Sequence, residues 1–225
     1  MLNKIVNGVL GMSPQIFQPF LMKKFNRLSR ENSFVKRLII NDWEKNGRPS
    51  PPPHIIKQLA IKNVQKECSY TTLVETGTFL GDMVEAQRMN FLKIYSIELS
   101  ERLWQGAVKR FKNFPDIEIL QGDSGDVLKS LKDRLISPTI FWLDGHYSGG
   151  FTALGDKICP VFEELDAIFN NKNLKHIILI DDARLFIGTG GYPTTEELNE
   201  YVKANMPNYT MRIKDDIIHI RPIES

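Results

Sequence analysis

The segment Thr71–Asp82 constrains the fold of this chain more than any other part of the sequence. A short β-branched and apolar run leads into the pattern Glu-x-Gly-x-x-x-Gly, and a stretch compatible with a helix follows. This order predicts a parallel strand, a tight glycine turn and a helix N-terminus, which is where α/β sheets bind nucleotide-like ligands. We therefore expect a Rossmann-like α/β sheet.

The chemistry of this turn narrows the choice of ligand. Its spacing differs from the Gly-x-Gly-x-x-Gly of dinucleotide-binding folds, and Glu75 stands before the first glycine. A carboxylate there would repel a pyrophosphate, but it suits a cationic amino-acid cofactor such as S-adenosylmethionine (SAM). The predicted contacts of this turn with the cofactor are Glu75, Thr76, Gly77, Thr78 and Gly81.

From residue 71 onward the hydrophobic pattern alternates between strand and helix, which predicts a parallel sheet with helical crossovers. The predicted strands are residues 71–75, 93–97, 117–121, 139–143 and 176–181. The predicted helices lie near residues 81–90, 101–113, 125–135, 158–170 and 195–205. Ser100 is a predicted N-cap, and Thr194 with Glu197 forms a predicted capping box.

The end of the chain departs from this alternation. Two β-like runs, Tyr209–Ile213 and Ile217–Arg221, are separated by three residues, which are too few for a crossover. They must therefore form an antiparallel hairpin. Five parallel strands followed by a hairpin are typical of class I methyltransferases, whereas a dehydrogenase-type domain continues with another parallel unit.

Polar residues follow the second and third predicted strands. Glu98 ends the second strand about twenty residues after the glycine turn, a position from which a carboxylate accepts both ribose hydroxyls of an adenosine. A solvated acid is the alternative interpretation. Asp123 and Ser124 follow the third strand, where we expect a contact with the adenine ring, the cap of the next helix, or both.

The fourth strand leads into the densest cluster of reactive side chains, Asp144-Gly145-His146-Tyr147. Asp144 is a predicted cofactor contact and catalytic residue. His146, in a glycine-rich loop, is the predicted general base for a hydroxyl, with a purely structural hydrogen bond as the alternative.

Paired acids, Asp181 and Asp182, follow the fifth strand. Together with Asp144 they form three carboxylates suited to Mg²⁺ or another divalent cation. The alternative is helix capping plus a salt bridge to Arg184. Arg184, Tyr147 and Tyr192 are the predicted contacts with the acceptor substrate.

The N-terminal part differs in charge from the remainder. Residues 1–40 carry a net charge of +6, and the remaining residues carry −4. A proline-rich connection ends at residue 53, so we predict a basic helical extension over residues 1–53 and a catalytic domain over residues 54–225. The extension either packs on its own domain or contacts an anionic membrane surface or a partner protein. Further expectations are a cytoplasmic or membrane-peripheral location, free thiols at Cys68 and Cys159, and a homo-oligomer.

Several segments together resemble a family of bacterial class I SAM-dependent methyltransferases found among polysaccharide and surface-glycan genes. They are GRPSPPPHIIKQ, LVETGTFLGDMVEA, YSIELS, GDSGDVL, FWLDGHYSGG, LIDDARLF and DDIIHI. More distantly, the chain resembles the macrocin O-methyltransferase group, which uses Mg²⁺ held by aspartates. That resemblance implies metal-assisted O-methylation of a sugar, glycan or secondary-metabolite hydroxyl, with aspartate ligands at Asp144, Asp181 and Asp182 and a base at His146.

Two other classes of function remain open. One is a non-catalytic SAM-fold binding protein in a glycan assembly complex. The other is a different enzyme on the same sheet, NAD-dependent or hydroxylase-type, and the glycine spacing and the absence of a facial His-x-Asp…His set disfavour it. A nucleic-acid partner is not expected, since the net charge is only +2 and no Pro-Pro-Tyr/Phe-like motif occurs.

Overall fold

The computed structural model describes residues 33–145, 159–170 and 173–223. Residues 33–47 belong to one compact unit, and a second unit begins at Arg48. The first unit contains helix α1 (Ser33–Lys45). Most of the predicted basic extension lies outside the described residues, and the predicted domain boundary after residue 53 stays a prediction. None of the helices in the described ranges has the length and apolar character needed to cross a membrane.

The second unit alternates strands and helices as the hydrophobic pattern predicts. The strands are β1 (Thr72–Thr76), β2 (Lys93–Glu98), β3 (Ile117–Gln121), β4 (Thr139–Leu143), β5 (Ile177–Ile180), β6 (Tyr209–Lys214) and β7 (Ile217–Pro222). The helices are α2 (His54–Cys68), α3 (Asp82–Gln87), α4 (Glu101–Phe111), α5 (Ser124–Leu131), α6 (Val161–Phe169) and α7 (Thr195–Asn205).

Within the described residues these strands form one seven-stranded sheet in the order β3-β2-β1-β4-β5-β7-β6. Strands β1 to β5 are parallel, and β7 pairs antiparallel with both β5 and β6. The predicted fold class is therefore confirmed, including the terminal hairpin. The strand order reverses between β1 and β4, so the carboxyl ends of these two strands border the crevice in which such sheets bind ligands.

Apolar side chains cover both faces of the sheet, as expected where helices flank parallel strands. One face packs Val74, Phe141 and Ile178 with α5, α6 and α7. The opposite face packs Leu73 and Trp142 with α2, α3 and α4. Because both faces are buried, the strands hold rigidly whatever side chains follow their carboxyl ends.

Local signals set the helix boundaries. The Ser100 side chain accepts a hydrogen bond from the Leu103 amide, and Thr194 and Glu197 form the predicted capping box. The helix predicted near residues 81–90 ends at Gln87, because the Asn90 amide bonds back to the Gln87 carbonyl in a tight turn.

Two further predictions concern helix α6 and the cysteines. The helix predicted over residues 158–170 spans Val161–Phe169. It begins after Pro160, a residue type that suits the N-terminus of a helix. Residue 158 lies outside the described part of the chain. Cys68 and Cys159 are free, as expected.

Candidate active site

The turn after β1 brings the chain back against the end of β4. Gly77 and Gly81 have positive φ angles of 83° and 75°. The amides of Gly77 and Thr78 donate to the Ile97 carbonyl at 2.9 and 3.1 Å, which ties the turn to β2. A Cβ on Gly77 would lie 2.3 Å from the carbonyl oxygen of Asp144. Only glycine therefore allows β1 and β4 to approach this closely at the crevice.

Glu75 is buried directly beneath this turn, with only 2% of its surface exposed. Ser96 donates a hydrogen bond to its carboxylate, and Ser96 in turn lies 2.6 Å from the Thr78 hydroxyl. Burial raises the pKa of Glu75 to about 8, and the charges of Glu98 and Asp82 add to the effect, although the Ser96 hydrogen bond opposes it. An acid kept in such a place lowers the stability of the fold at neutral pH, which favours a functional reason for its presence.

We predict that Glu75→Gln stabilises the folded protein at neutral pH and weakens SAM binding. Between the unfolded-state pKa and about 8, native Glu75 holds a proton that the unfolded chain has released. The free energy of unfolding of the wild type therefore falls as the pH rises through this window. The variant does not titrate, so its stability advantage should grow from about pH 5 to about pH 8, at up to roughly 1.4 kcal/mol per pKa unit. Urea titrations across this pH range measure the difference.

The matched control is Glu200→Gln on the exposed face of α7. It should leave both stability and SAM affinity unchanged. A Glu75→Gln protein that is less stable than the wild type at pH 8, or that binds SAM normally, would contradict the functional interpretation of this acid.

Glu98 at the end of β2 faces the same turn. Its two carboxylate oxygens accept backbone hydrogen bonds, from the Phe79 amide at 2.7 Å and from the Ser100 amide at 2.9 Å. Burial raises the pKa of Glu98, while these backbone amides act in the opposite direction. Each carboxylate oxygen can accept more than one hydrogen bond, so the predicted contact with ribose hydroxyls is compatible with this anchoring.

Asp123 and Ser124 mark the third strand end. The Asp123 carboxylate caps α5 by accepting from the amides of Gly125 and Asp126 at 2.9 and 3.3 Å. The capping alternative is thus realised, and the adenine contact stays a prediction. Glu164 of α6 is a further buried acid: burial raises its pKa to about 7, although the neighbouring Ser124 and Thr76 hydroxyls act in the opposite direction. Sequence reasoning did not single out Glu164, because an isolated acid in an apolar helix carries no motif.

The three predicted metal-binding aspartates do converge. One carboxylate oxygen from each of Asp144, Asp181 and Asp182 lies within 4.8 Å of the others. Asp144 follows β4, and its amide bonds to the Thr76 carbonyl at 3.1 Å. Asp181 follows β5 and is fully buried, while Asp182 adopts the left-handed conformation with φ 57°. The hard oxygen donors of this set are of the kind that a divalent cation prefers.

A lysine that sequence reasoning missed also enters this cluster. The Lys57 ammonium lies 2.5 Å from Asp181 Oδ2 and 3.1 Å from Asp182 Oδ1. Lys57 is in the first turn of α2, on the face that also buries Ile61 and Val64 at helical spacing. Helix α2 leads into β1 through a short connection, so it runs antiparallel to that strand and begins near the carboxyl edge of the sheet. This geometric signal could have placed Lys57 at the site.

Burial and charge act against each other in this cluster. Burial raises the pKa of Asp144 well above its usual range, and the neighbouring Asp181 charge adds to this. Burial also raises the pKa of Asp181 to about 6, with Lys57 opposing the shift. For Lys57, burial favours the neutral amine, but the surrounding aspartates outweigh it and raise its pKa. The ammonium is therefore held charged among carboxylates that repel one another.

Solved structures similar to this chain are methyltransferases. They include TomG of Streptomyces achromogenes, an O-methyltransferase involved in tomaymycin synthesis, in complex with SAM (TM-score 0.57, 12% identity, 84% of this chain and 89% of that one). An O-methyltransferase from Bacillus cereus in complex with SAH is similar too (TM-score 0.57, 11% identity, 88% of this chain and 96% of that one). The SAH-bound methyltransferase PaMTH1 of Podospora anserina is a third (TM-score 0.54, 15% identity, 95% of this chain and 100% of that one). No protein-family model and no curated protein matches the sequence.

The chain has the class I methyltransferase fold. At these identities the likeness concerns the fold alone, and the chemistry has to be argued from the site. Within that fold, the glycine turn, Glu98 and the aspartate cluster all lie at the carboxyl edge of the parallel strands, on either side of the β1–β4 crevice.

The predicted substrate contacts have different surroundings. Arg184 is paired with Asp182 at 2.8 Å and also with Asp216 of the terminal hairpin, so it holds Asp182 in place whatever else it binds. The salt-bridge alternative for the paired acids is thus present alongside the cluster. Tyr192 packs edge-to-face on Phe186 at 5.5 Å. His146 and Tyr147, the predicted base and a predicted substrate contact, lie outside the described residues.

Proposed function

We propose that this protein is a SAM-dependent methyltransferase that methylates a hydroxyl group of a sugar, a glycan intermediate or a secondary metabolite. The observation that carries this proposal is the β1–β4 crevice. There a glycine turn without room for a Cβ packs on Asp144, beside a buried carboxylate cluster. The SAM and SAH complexes of the similar O-methyltransferases support the choice of cofactor.

The residues of the crevice suit the separate parts of SAM. Glu98 is placed to accept hydrogen bonds from ribose hydroxyls, next to a turn that it already orders. The turn from Glu75 to Gly81 is suited to the methionine part, since the buried Glu75 carboxyl group is a hydrogen-bond partner for the ammonium group of an amino acid. Asp123 and Ser124 remain the proposed neighbours of the adenine ring. When bound, SAM would supply a sulfonium methyl group: the hydroxyl oxygen would bond to the methyl carbon as the methyl–sulfur bond breaks, SAH would leave as the neutral thioether, and the hydroxyl proton would pass to a base.

We assign the aspartate cluster to a divalent cation, because three carboxylate oxygens converge within 4.8 Å at the mouth of the crevice. When bound, such a cation supplies Lewis acidity that lowers the pKa of a coordinated hydroxyl. Asp144 connects this cluster to the cofactor turn, since its amide bonds to Thr76 and its carbonyl packs on Gly77. We therefore expect a displacement of Asp144 to disturb both sites.

The remaining roles rest on the sequence. His146 is the proposed proton acceptor, and Tyr147, Arg184 and Tyr192 are the proposed contacts with the acceptor. Much of the rate acceleration would come from alignment of the hydroxyl with the methyl group. A cytoplasmic location, self-association and contacts of the basic N-terminal arm stay predictions.

The test is transfer of a labelled methyl group from SAM to a panel of hydroxyl acceptors: sugars, nucleotide sugars and glycan fragments. We expect SAH release that depends on the acceptor, a labelled ether in the product, and loss of turnover in Asp144→Asn. SAM binding without transfer to any member of a broad panel would favour the non-catalytic binding protein. Methylation confined to amines would contradict the O-methyltransferase assignment.

A further inference from the structure

The Lys57 ammonium bonds two of the three carboxylates of the aspartate cluster. It bridges Asp181 Oδ2 and Asp182 Oδ1, and the Lys57 side chain is only 15% exposed. Asp181, the nearer partner, has no exposed side-chain surface. An ammonium seated this deeply between two carboxylates neutralises charges that would otherwise repel each other without solvent screening.

The other cation at the cluster, Arg184, is shared with a carboxylate outside it. Arg184 bonds to Asp182 on one side and to Asp216 on the other, and Asp216 Oδ1 also accepts from the Arg184 amide at 2.8 Å. With every group ionised, four carboxylates face two cations in this part of the chain, leaving a formal charge of −2. Among the described residues, Lys57 is the cation bonded to Asp181, so Asp181 loses its cationic partner if the ammonium moves away.

We infer that Lys57 is a displaceable internal cation, which competes with a divalent cation for Asp181 and Asp182. This inference rests on the metal site of the proposed function and concerns how that site is filled. The Asp181 and Asp182 oxygens that the ammonium bonds cannot also coordinate a dication without bringing two positive centres into contact. The ammonium therefore has to leave these oxygens before a cation binds to them. In the absence of metal, Lys57 holds the carboxylates together.

The test is calorimetric titration of the full chain with MgCl₂ and MnCl₂ in the absence of SAM. We expect Lys57→Met to bind either ion at least about tenfold more tightly than the wild type, because the competing ammonium is gone. Lys57→Arg keeps the charge and should show no such gain. Lys66→Met, an exposed lysine of the same helix, is the matched control and should behave as the wild type. Adding Asp181→Asn to Lys57→Met should abolish the gain.

Equal metal affinity in Lys57→Met and the wild type would overturn the inference, as would a gain that survives Asp181→Asn. If Lys57→Met unfolds in EDTA, refolding on addition of Mg²⁺ supports the inference, and unfolding that Mg²⁺ does not reverse counts against it. SAM titrations of the wild type, run separately, report on the proposed function. A protein that binds SAM while Lys57→Met gains no metal affinity keeps the methyltransferase proposal and loses this one.

Discussion

Replacing Gly77 with alanine is expected to abolish SAM binding and to destabilise the fold. The new Cβ would lie 2.3 Å from the carbonyl oxygen and 2.8 Å from the carbonyl carbon of Asp144, both backbone atoms that no rotamer change can move. The residue also has a φ of 83°, which costs an L-residue about 1 kcal/mol or more. Relief requires the ends of β1 and β4 to separate, which displaces both the cofactor turn and Asp144.

We expect a loss of SAM affinity of at least about 100-fold and a destabilisation of at least about 2 kcal/mol. Calorimetry with SAM and urea unfolding measure the two effects. Gly190→Ala shares a positive φ, of 62°, but a Cβ there meets nothing within 4 Å, so it isolates backbone strain from the clash. Gly106→Ala on the exposed side of α4 should be neutral or slightly stabilising. Normal SAM binding by Gly77→Ala would refute the proposed position of the cofactor.

Replacing Glu98 with alanine is expected to have the second largest effect. The carboxylate accepts the amides of Phe79 and Ser100, and its removal leaves both amides without this partner. Losing two hydrogen bonds to a charged group should destabilise the fold by about 2–3 kcal/mol. The turn after β1 then keeps its bonds to the Ile97 carbonyl but loses the bond from the Phe79 amide to β2, and the proposed ribose acceptor disappears. We expect SAM affinity to fall by about 100-fold or more.

Adenosine and methionine serve as separate probes for this variant. Because Glu98 is assigned to the ribose, the variant should bind adenosine more weakly than the wild type does, whereas its affinity for methionine should change less. Glu118→Gln on β3, which breaks a surface ion pair with Arg134, is the matched control and should cost less than about 1 kcal/mol. The ribose assignment fails if Glu98→Ala binds SAM within about threefold of the wild type.

The sequence was sufficient for the sheet because the signals of the sheet are local. Buried parallel strands such as β4 and β5 are continuous apolar runs, and the two residues between β6 and β7 leave room only for a turn. Capping signals at Ser100 and Thr194 needed no knowledge of tertiary structure. The convergence of Asp144 with Asp181 and Asp182 follows from the same reasoning, since neighbouring parallel strands end at one edge.

The pairings of these acids could not be predicted in the same way. The contact of Lys57 with Asp181 joins residues 124 positions apart and depends on how α2 is rotated about its axis on the sheet. The bridge from Arg184 to Asp216 depends on the insertion of β7 beside β5. The role of Asp123 could not be predicted from its residue type either. An aspartate at a strand end can cap the next helix or contact a ligand, and the contacts around it decide between these roles.

The most direct test of the account is calorimetric titration of the purified protein with SAM, in Mg²⁺ and again in EDTA. We predict saturable binding of one SAM per chain in both conditions, and its loss in Glu98→Ala. Absence of binding in both conditions, from protein shown to be folded, would contradict the assignment of the β1–β4 crevice to SAM and with it the proposed methyltransferase.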